Sequence, residues 1–295
     1  MQMQKNILLV VGNGFDLNMG LETSYDHFFK YVDDKSVAND LIYELKERHK
    51  KNWVDIEHEL ADCAINGLSL LNQKNSMILD AKKEHILEHH EYNELKRYLK
   101  HYLLDLQGNF ENFENKSSYK LLEQICSNQY NNITVLDFNY TNTIDILANS
   151  ILTNRHLELP TRFKHIHIHG DLDSEIVFGI DDKAEVDENF VYLHKSFDHF
   201  NTTSINISAL LEDSRDIYFY GYSLGETDKS YFADFFKERC LYNNHPSKHD
   251  QKTLTFYHYK ETGYIELFNR LLDLTNHSTA KLRQYNNVRF IDSDL

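Results

Sequence analysis

Proline is nearly absent. Only Pro160 and Pro246 occur in 295 residues, so no Pro-rich linker marks a domain boundary. Cysteine is almost as scarce. Cys63, Cys126 and Cys240 stand far apart with no CxxC pair, which indicates neither a disulfide framework nor a Cys-based zinc site and points to a reducing, intracellular compartment. Basic side chains are the minority: 31 Lys and Arg against 46 Asp and Glu give a formal charge of −15. Broad binding to nucleic acid relies on Lys and Arg neutralising phosphates, so this balance argues against it; one local nucleotide pocket stays open. Long apolar runs are missing too. Ile7-Leu8-Leu9-Val10-Val11 is far too short to span a bilayer and ends in Gly-Asn-Gly, not in a signal-peptidase site, so a cytoplasmic protein without a membrane partner is expected. What the chain does have is core material. It is 41% hydrophobic, with 18 Phe and 19 Tyr, which makes wholesale disorder untenable.

The hydrophobic pattern alternates between short strands and helices. Apolar runs at 6–11, 133–138, 164–169, 176–178, 216–221 and 253–257 read as strands, and the tail holds one more short, mostly apolar run at 288–291. Thr23-Ser24 reads as a helix cap before Tyr25, Phe28, Phe29 and Val32 at helical spacing. Further helices are expected at 143–150, 228–239 and 264–274. Short apolar strands separated by helices imply an α/β chain with a parallel sheet. Residues 36–126 are helical and highly charged, and read as an insertion or lid between the first and second core strands. The core is then 1–35 plus 127–295. Three strands run into Gly or Asn clusters, and ligands of open α/β sheets bind at the carboxyl ends of strands, so these clusters are expected to share one cleft.

Four motifs carry chemistry. Gly12-Asn13-Gly14-Phe15-Asp16 follows the first strand, where glycines let backbone approach a pyrophosphate. It lacks the third glycine of the full fingerprint, because Leu17 stands there, and an ordinary tight turn explains it as well. Phe138-Asn139-Tyr140-Thr141-Asn142-Thr143-Ile144-Asp145 packs two amides, two hydroxyls and a carboxylate behind a strand. Amides suit a ribose or an attacking water, while Thr141 or Asn142 also serves as a helix cap with Asp145 in the first turn. His165-Ile166-His167-Ile168-His169-Gly170-Asp171 places three His on one strand face. Either they hold a metal, or His169 alone is a general base beside Gly170, with His165 and His167 as polar spacers. Tyr220-Gly221-Tyr222-Ser223-Leu224-Gly225 offers backbone N–H groups and a hydroxyl to a phosphate, with Thr227 or Asp228 capping the next helix. His85 and His89 are four apart, but Ile86 replaces the Glu of a zinc-protease helix, so a solvated face explains them. Trp53, Asp55 and Glu57 fit a cap or a cleft equally.

The ordered set resembles the AbiH family of bacterial proteins associated with abortive infection by phage. The pieces are Ile7 to Leu17 with Gly20-Leu21-Glu22-Thr23-Ser24-Tyr25 and Phe28, Trp53 with Glu57, Phe138-Asn139-Tyr140-Thr141, His167-Ile168-His169-Gly170, Phe178-Gly179, and Gly221-Tyr222-Ser223-Leu224 with Asp228. The same series is similar to a divergent sirtuin-like NAD-binding fold. That resemblance implies a Rossmann-like parallel sheet and an antiphage effector that hydrolyses NAD at the nicotinamide–ribose bond. It implies His169 as catalytic base, Asn139 or Asn142 at the ribose or water, and Asp16 as a further polar contact. Gly12, Asn13, Gly14, Phe15, Tyr140, Thr141, Gly170, Gly221, Tyr222 and Ser223 would line the NAD site, with no metal expected. The paired-Cys zinc module of sirtuin deacylases is missing, which speaks against protein deacylation. Two other readings stand beside it: a metal-dependent hydrolase or nuclease using His165, His167, His169 and Asp171, and a non-catalytic nucleotide sensor. A partner defence protein, a phage trigger and self-association are left open.

Overall fold

The computed structural model describes residues 5–52, 56–67, 87–109, 113–127, 131–155, 162–199, 205–241 and 251–294. Trp53, Asp55 and His85 lie outside these residues. The chain divides into two compact units. One comprises Met1–Thr23, Leu106–Asp171 and Ser204–Leu295; the other comprises Ser24–Asp105 and Leu172–Thr203.

In the first unit, β1 (Asn6–Val11), β2 (Asn132–Asp137), β3 (Phe163–His167), β4 (Asp216–Tyr220), β5 (Thr253–His258) and β6 (Asn287–Asp292) form one sheet. Its order is β3-β2-β1-β4-β5-β6 and every pairing is parallel. The sequence explains why. Parallel strands are covered on both faces and therefore read as unbroken apolar runs. In β1, Leu8 and Val10 join one core while Ile7, Leu9 and Val11 join the other. The first core is closed by Ile207–Asp213, Ala233–Glu238, Lys260–Leu274 and Thr279–Tyr285; the second by Asn13–Met19, Ser117–Cys126 and Thr143–Arg155. This is the strand order of doubly wound dinucleotide-binding sheets, whose direction of travel reverses between β1 and β4. Two registers position the site. Val11 lies beside Tyr220, and Asp137 beside His167.

The apolar tail run at 288–291 forms β6, and five of the six expected strands are present. The exception is 176–178. Ile176, Val177 and Phe178 are buried but form no strand. They belong to the second unit, where the Tyr92 hydroxyl donates to the Phe178 carbonyl and Ile180 bridges to His194. A three-residue apolar run looks alike in a strand and in a buried loop. Gly179 allows this loop's close approach, since a Cβ there would sit 2.1 Å from the Leu193 carbonyl oxygen. Ser24 caps Tyr25–Asp34 as expected, accepting from the His27 amide. Lys195 pairs with Glu57 at 2.9 Å, and Arg48 holds Glu44, Glu59 and Asp62.

The helical insertion expected at 36–126 has different bounds. The second unit starts at Ser24, ends its first segment at Asp105 and gains Leu172–Thr203 from between β3 and β4. The helix Ser117–Cys126 belongs to the sheet unit, because Tyr119, Leu121, Leu122 and Ile125 pack with Leu9 and Val135. Its helical period is the same as that of the preceding helices, so periodicity could not separate them. All three cysteines are buried and free. No helix among the described residues is long and apolar enough to cross a membrane.

Candidate functional site

The carboxyl ends of β1 and β4 close tightly on each other. The Gly12 amide donates to the Tyr220 carbonyl at 3.1 Å, and the Gly14 amide to the Gly221 carbonyl at 3.0 Å. Gly221 has φ +62, and a Cβ there would lie 2.2 Å from the Phe15 nitrogen. These glycines therefore have a structural reason to be glycine: two loops pass in backbone contact. Phe15 is fully buried and meets the Tyr220 ring edge-on at 5.3 Å. Asn13 is exposed and accepts from the Thr23 hydroxyl. Ser223 is exposed, Tyr222 is buried, and Leu224 holds φ +53. A Leu in the left-handed region is backbone strain of the kind concentrated at functional loops.

Between the ends of β1 and β2 lies a buried polar group. Asp16 is 1% exposed, and its Oδ2 accepts from the Thr141 hydroxyl at 2.5 Å. The Thr143 hydroxyl donates to Thr141 at 3.1 Å. Asp16 Oδ1 is buried with no hydrogen-bond partner among the described residues. Burial raises the Asp16 pKa to about 7, against the lowering hydrogen bond from Thr141 and with added repulsion from Asp137. A carboxyl titrating near neutrality in such a place is a functional candidate.

This shift fixes a sign for stability. The unfolded carboxyl loses its proton near its ordinary value of 3.8, whereas the folded one keeps it up to about 7. Between those values the native state binds more protons, so stability falls as pH rises, and it stays lowered above 7. Asp16→Asn is expected to flatten this dependence and to stabilise the fold by about 2–4 kcal/mol at pH 8, at 1.36 kcal/mol per unit. Urea denaturation from pH 4 to 8 measures it; parallel wild-type and variant curves would show that Asp16 ionises normally.

The two candidate ribose amides now separate. Asn139 lies at the end of β2, where its side chain donates to the Gly12 carbonyl at 3.2 Å and its amide to Asp137 Oδ1 at 2.8 Å. Asn142 instead opens the helix Thr143–Arg155: its carbonyl accepts from Ile146 at 3.1 Å and its amide donates to Gln107 at 2.9 Å. Tyr140 between them is half-buried.

The three histidines do not act as one set. β3 ends at His167, and Gly170 turns with φ +74. His169 leaves the strand's alternation and places Nε2 3.1 Å from Asp228 Oδ1, its ring edge-on to Phe138 at 5.4 Å. His169 is buried at 4% exposure. Asp228 sits inside the short 3₁₀ helix Glu226–Tyr231, which Gly225 caps, so it is not the helix cap expected of it. His165 and His167 stay together, ring centroids 4.4 Å apart. His165 lies between two carboxylates, Nε2 3.0 Å from Asp137 and Nδ1 3.0 Å from Asp145. Burial lowers its pKa, but the bonds to Asp137 and Asp145 outweigh that and push it up to about 9. The same contact holds the Asp145 carboxyl below its usual range. The group within metal-ligand reach among the described residues is Asp137, His165 and His167. His169 and Asp171, expected in a metal set, are not part of it.

A family model described as "Bacteriophage abortive infection AbiH" matches residues 8–245. The chain belongs to the AbiH family. A search of curated proteins found no match. The matched span holds β1 from Leu8 onward, β2, β3, β4 and all the side chains of the site, so the features above lie within the AbiH region. Three acidic residues of this site were given no catalytic or ligand role in the sequence. Asp137 had one signal, an acid at the end of a buried apolar strand. Asp145 and Asp228 read as helix-end residues, because nothing in a linear sequence shows which imidazole they meet.

Proposed function

We propose that this AbiH-family protein is an antiphage abortive-infection effector whose sheet unit takes a nicotinamide dinucleotide and hydrolyses it at the nicotinamide–ribose bond. The observation that carries this reading is the His169–Asp228 pair, 3.1 Å apart just beyond β3 of a 3-2-1-4-5-6 parallel sheet. Ligands of such sheets bind outside the carboxyl ends of the strands, and a carboxylate on one imidazole nitrogen orients the ring and stabilises the imidazolium it becomes. The sirtuin-like resemblance of the sequence adds the dinucleotide.

The chemistry balances simply. The glycosidic bond breaks through an oxocarbenium-like state, and nicotinamide leaves as a neutral ring. Water adds to the ribose carbon while His169 accepts its proton, which then passes to solvent. The products are ADP-ribose, nicotinamide and one proton. Asp16 Oδ1 supplies a carboxylate oxygen for a ribose hydroxyl or for the developing positive charge. Asn139 joins the ends of β1 and β2 through the Gly12 carbonyl and so positions the strand ends around the ribose.

Purified protein incubated with NAD is expected to release nicotinamide and ADP-ribose in equal amounts, read by chromatography. Absence of both, from the purified protein and from expressing cells during phage infection, would overturn the proposal.

A further inference from the structure

We propose a second site in the sheet unit: a divalent transition-metal site made by Asp137, His165 and His167, with zinc as the cation that best fits its donors. The sequence run His165 to Asp171 suggested a different set, and the parallel register of β2 and β3 replaces it by setting Asp137 beside His167.

Four observations converge. First, the ligand atoms of Asp137, His165 and His167 all lie within 4.8 Å of one another, and an oxygen and nitrogen 3.0 Å apart, as Asp137 Oδ2 and His165 Nε2 are, suit neighbouring ligands each about 2.0–2.2 Å from a zinc ion. Second, His167 Nδ1 lies 2.8 Å from the Asn139 carbonyl oxygen. A carbonyl only accepts, so Nδ1 carries the proton and the neutral ring presents a lone pair at Nε2. Third, that Nε2 is buried with no hydrogen-bond partner among the described residues. A buried acceptor left without a donor is costly, and a cation beside Asp137 removes that cost. Fourth, the outer contacts are those that metal-bound imidazoles make. Such rings give their other nitrogen to a carboxylate or a backbone carbonyl, which fixes ring orientation. His165 gives Nδ1 to Asp145, and His167 gives Nδ1 to Asn139. His165 Nε2 thereby faces Asp137, and His167 Nε2 keeps its lone pair for the cation. On binding, the metal takes the position of the His165 Nε2 proton, which goes to solvent. Three protein ligands leave a fourth tetrahedral position for water or a ligand oxygen, the pattern of an open rather than a purely structural site.

The full chain, stripped with chelator and dialysed against zinc sulfate, is expected to hold one zinc per chain by elemental mass spectrometry. With cobalt(II) in its place, a visible ligand-field spectrum should appear. Asp145→Asn, on the solvent side of its helix, is expected to weaken zinc about 10–100-fold, the usual cost of losing an outer hydrogen bond. His167→Ala should weaken it by more than that, and His90→Ala, an exposed histidine of the other unit, should change nothing. Circular dichroism checks each fold; should His167→Ala not fold, Asp145→Asn decides. No stoichiometric zinc in the wild type, or equal affinity in wild type and Asp145→Asn, overturns the site. Binding lost only in His90→Ala would mean adventitious surface histidines and overturn it as well.

Discussion

Gly221→Ala is expected to destabilise the sheet unit by about 4–6 kcal/mol, most of the stability of an ordinary domain. Two penalties combine. Gly221 has φ +62, a left-handed conformation costly to a residue with a Cβ. The new methyl would also stand 2.2 Å from the Phe15 nitrogen and 2.3 Å from the Gly14 carbonyl carbon. Those are backbone atoms, so no side chain can turn aside; β1 and β4 must part at their carboxyl ends. The cost spreads because Gly12 and Gly14 both bond back to this loop. Gly225→Ala is the control. Its φ is −61, and the nearest atom to its new methyl is the Ser223 hydroxyl oxygen at 3.4 Å, so a change within about 1 kcal/mol is expected. Denaturation midpoints by circular dichroism separate the two. A Gly221→Ala protein as stable as wild type would show that the loops do not pack in backbone contact.

His169→Gln is expected to lower nicotinamide release by about 100- to 10,000-fold, the usual contribution of a positioned general base. Glutamine keeps the size and a hydrogen bond toward Asp228 but cannot take a proton at neutral pH. The loss should fall on kcat with KM little changed, because the base acts in the transition state rather than in binding. Asp228→Asn should follow the same pattern with a smaller loss, since the imidazole keeps its proton-accepting nitrogen but loses the carboxylate that steadies its charged form. Both variants should retain wild-type denaturation midpoints to within about 1 kcal/mol. A folded His169→Gln protein releasing nicotinamide at the wild-type rate would remove His169 from the mechanism.

Much of the fold was legible because the physics that sets it is local. A buried parallel strand needs an unbroken apolar run, and 6–11 and 216–221 supply one. A helix needs a stripe at its own period, as at 264–274. The bounds of the second unit were less legible. The segment 172–203 carries little periodicity, and Ser117–Cys126 looks like the helices before it while packing elsewhere.

The site divides along the same line. The sequence by itself determined the parallel α/β architecture, the AbiH motifs in order, and the placing of Asn139, His169 and Gly221 at or beside the carboxyl ends of strands. Local pattern and chain order suffice for those. Only the tertiary structure decided the pairings: His169 with Asp228, His165 between Asp137 and Asp145, Gly221 against Gly14, and Asp137 in place of Asp171 beside the histidines. Strand alternation put three imidazoles on one face, but β3 ends at His167, so His169 is released to a different partner. The partners lie 20 to 207 residues apart in the chain. Sheet register and loop closure bring them together, and neither is encoded in the spacing of residues along a single segment.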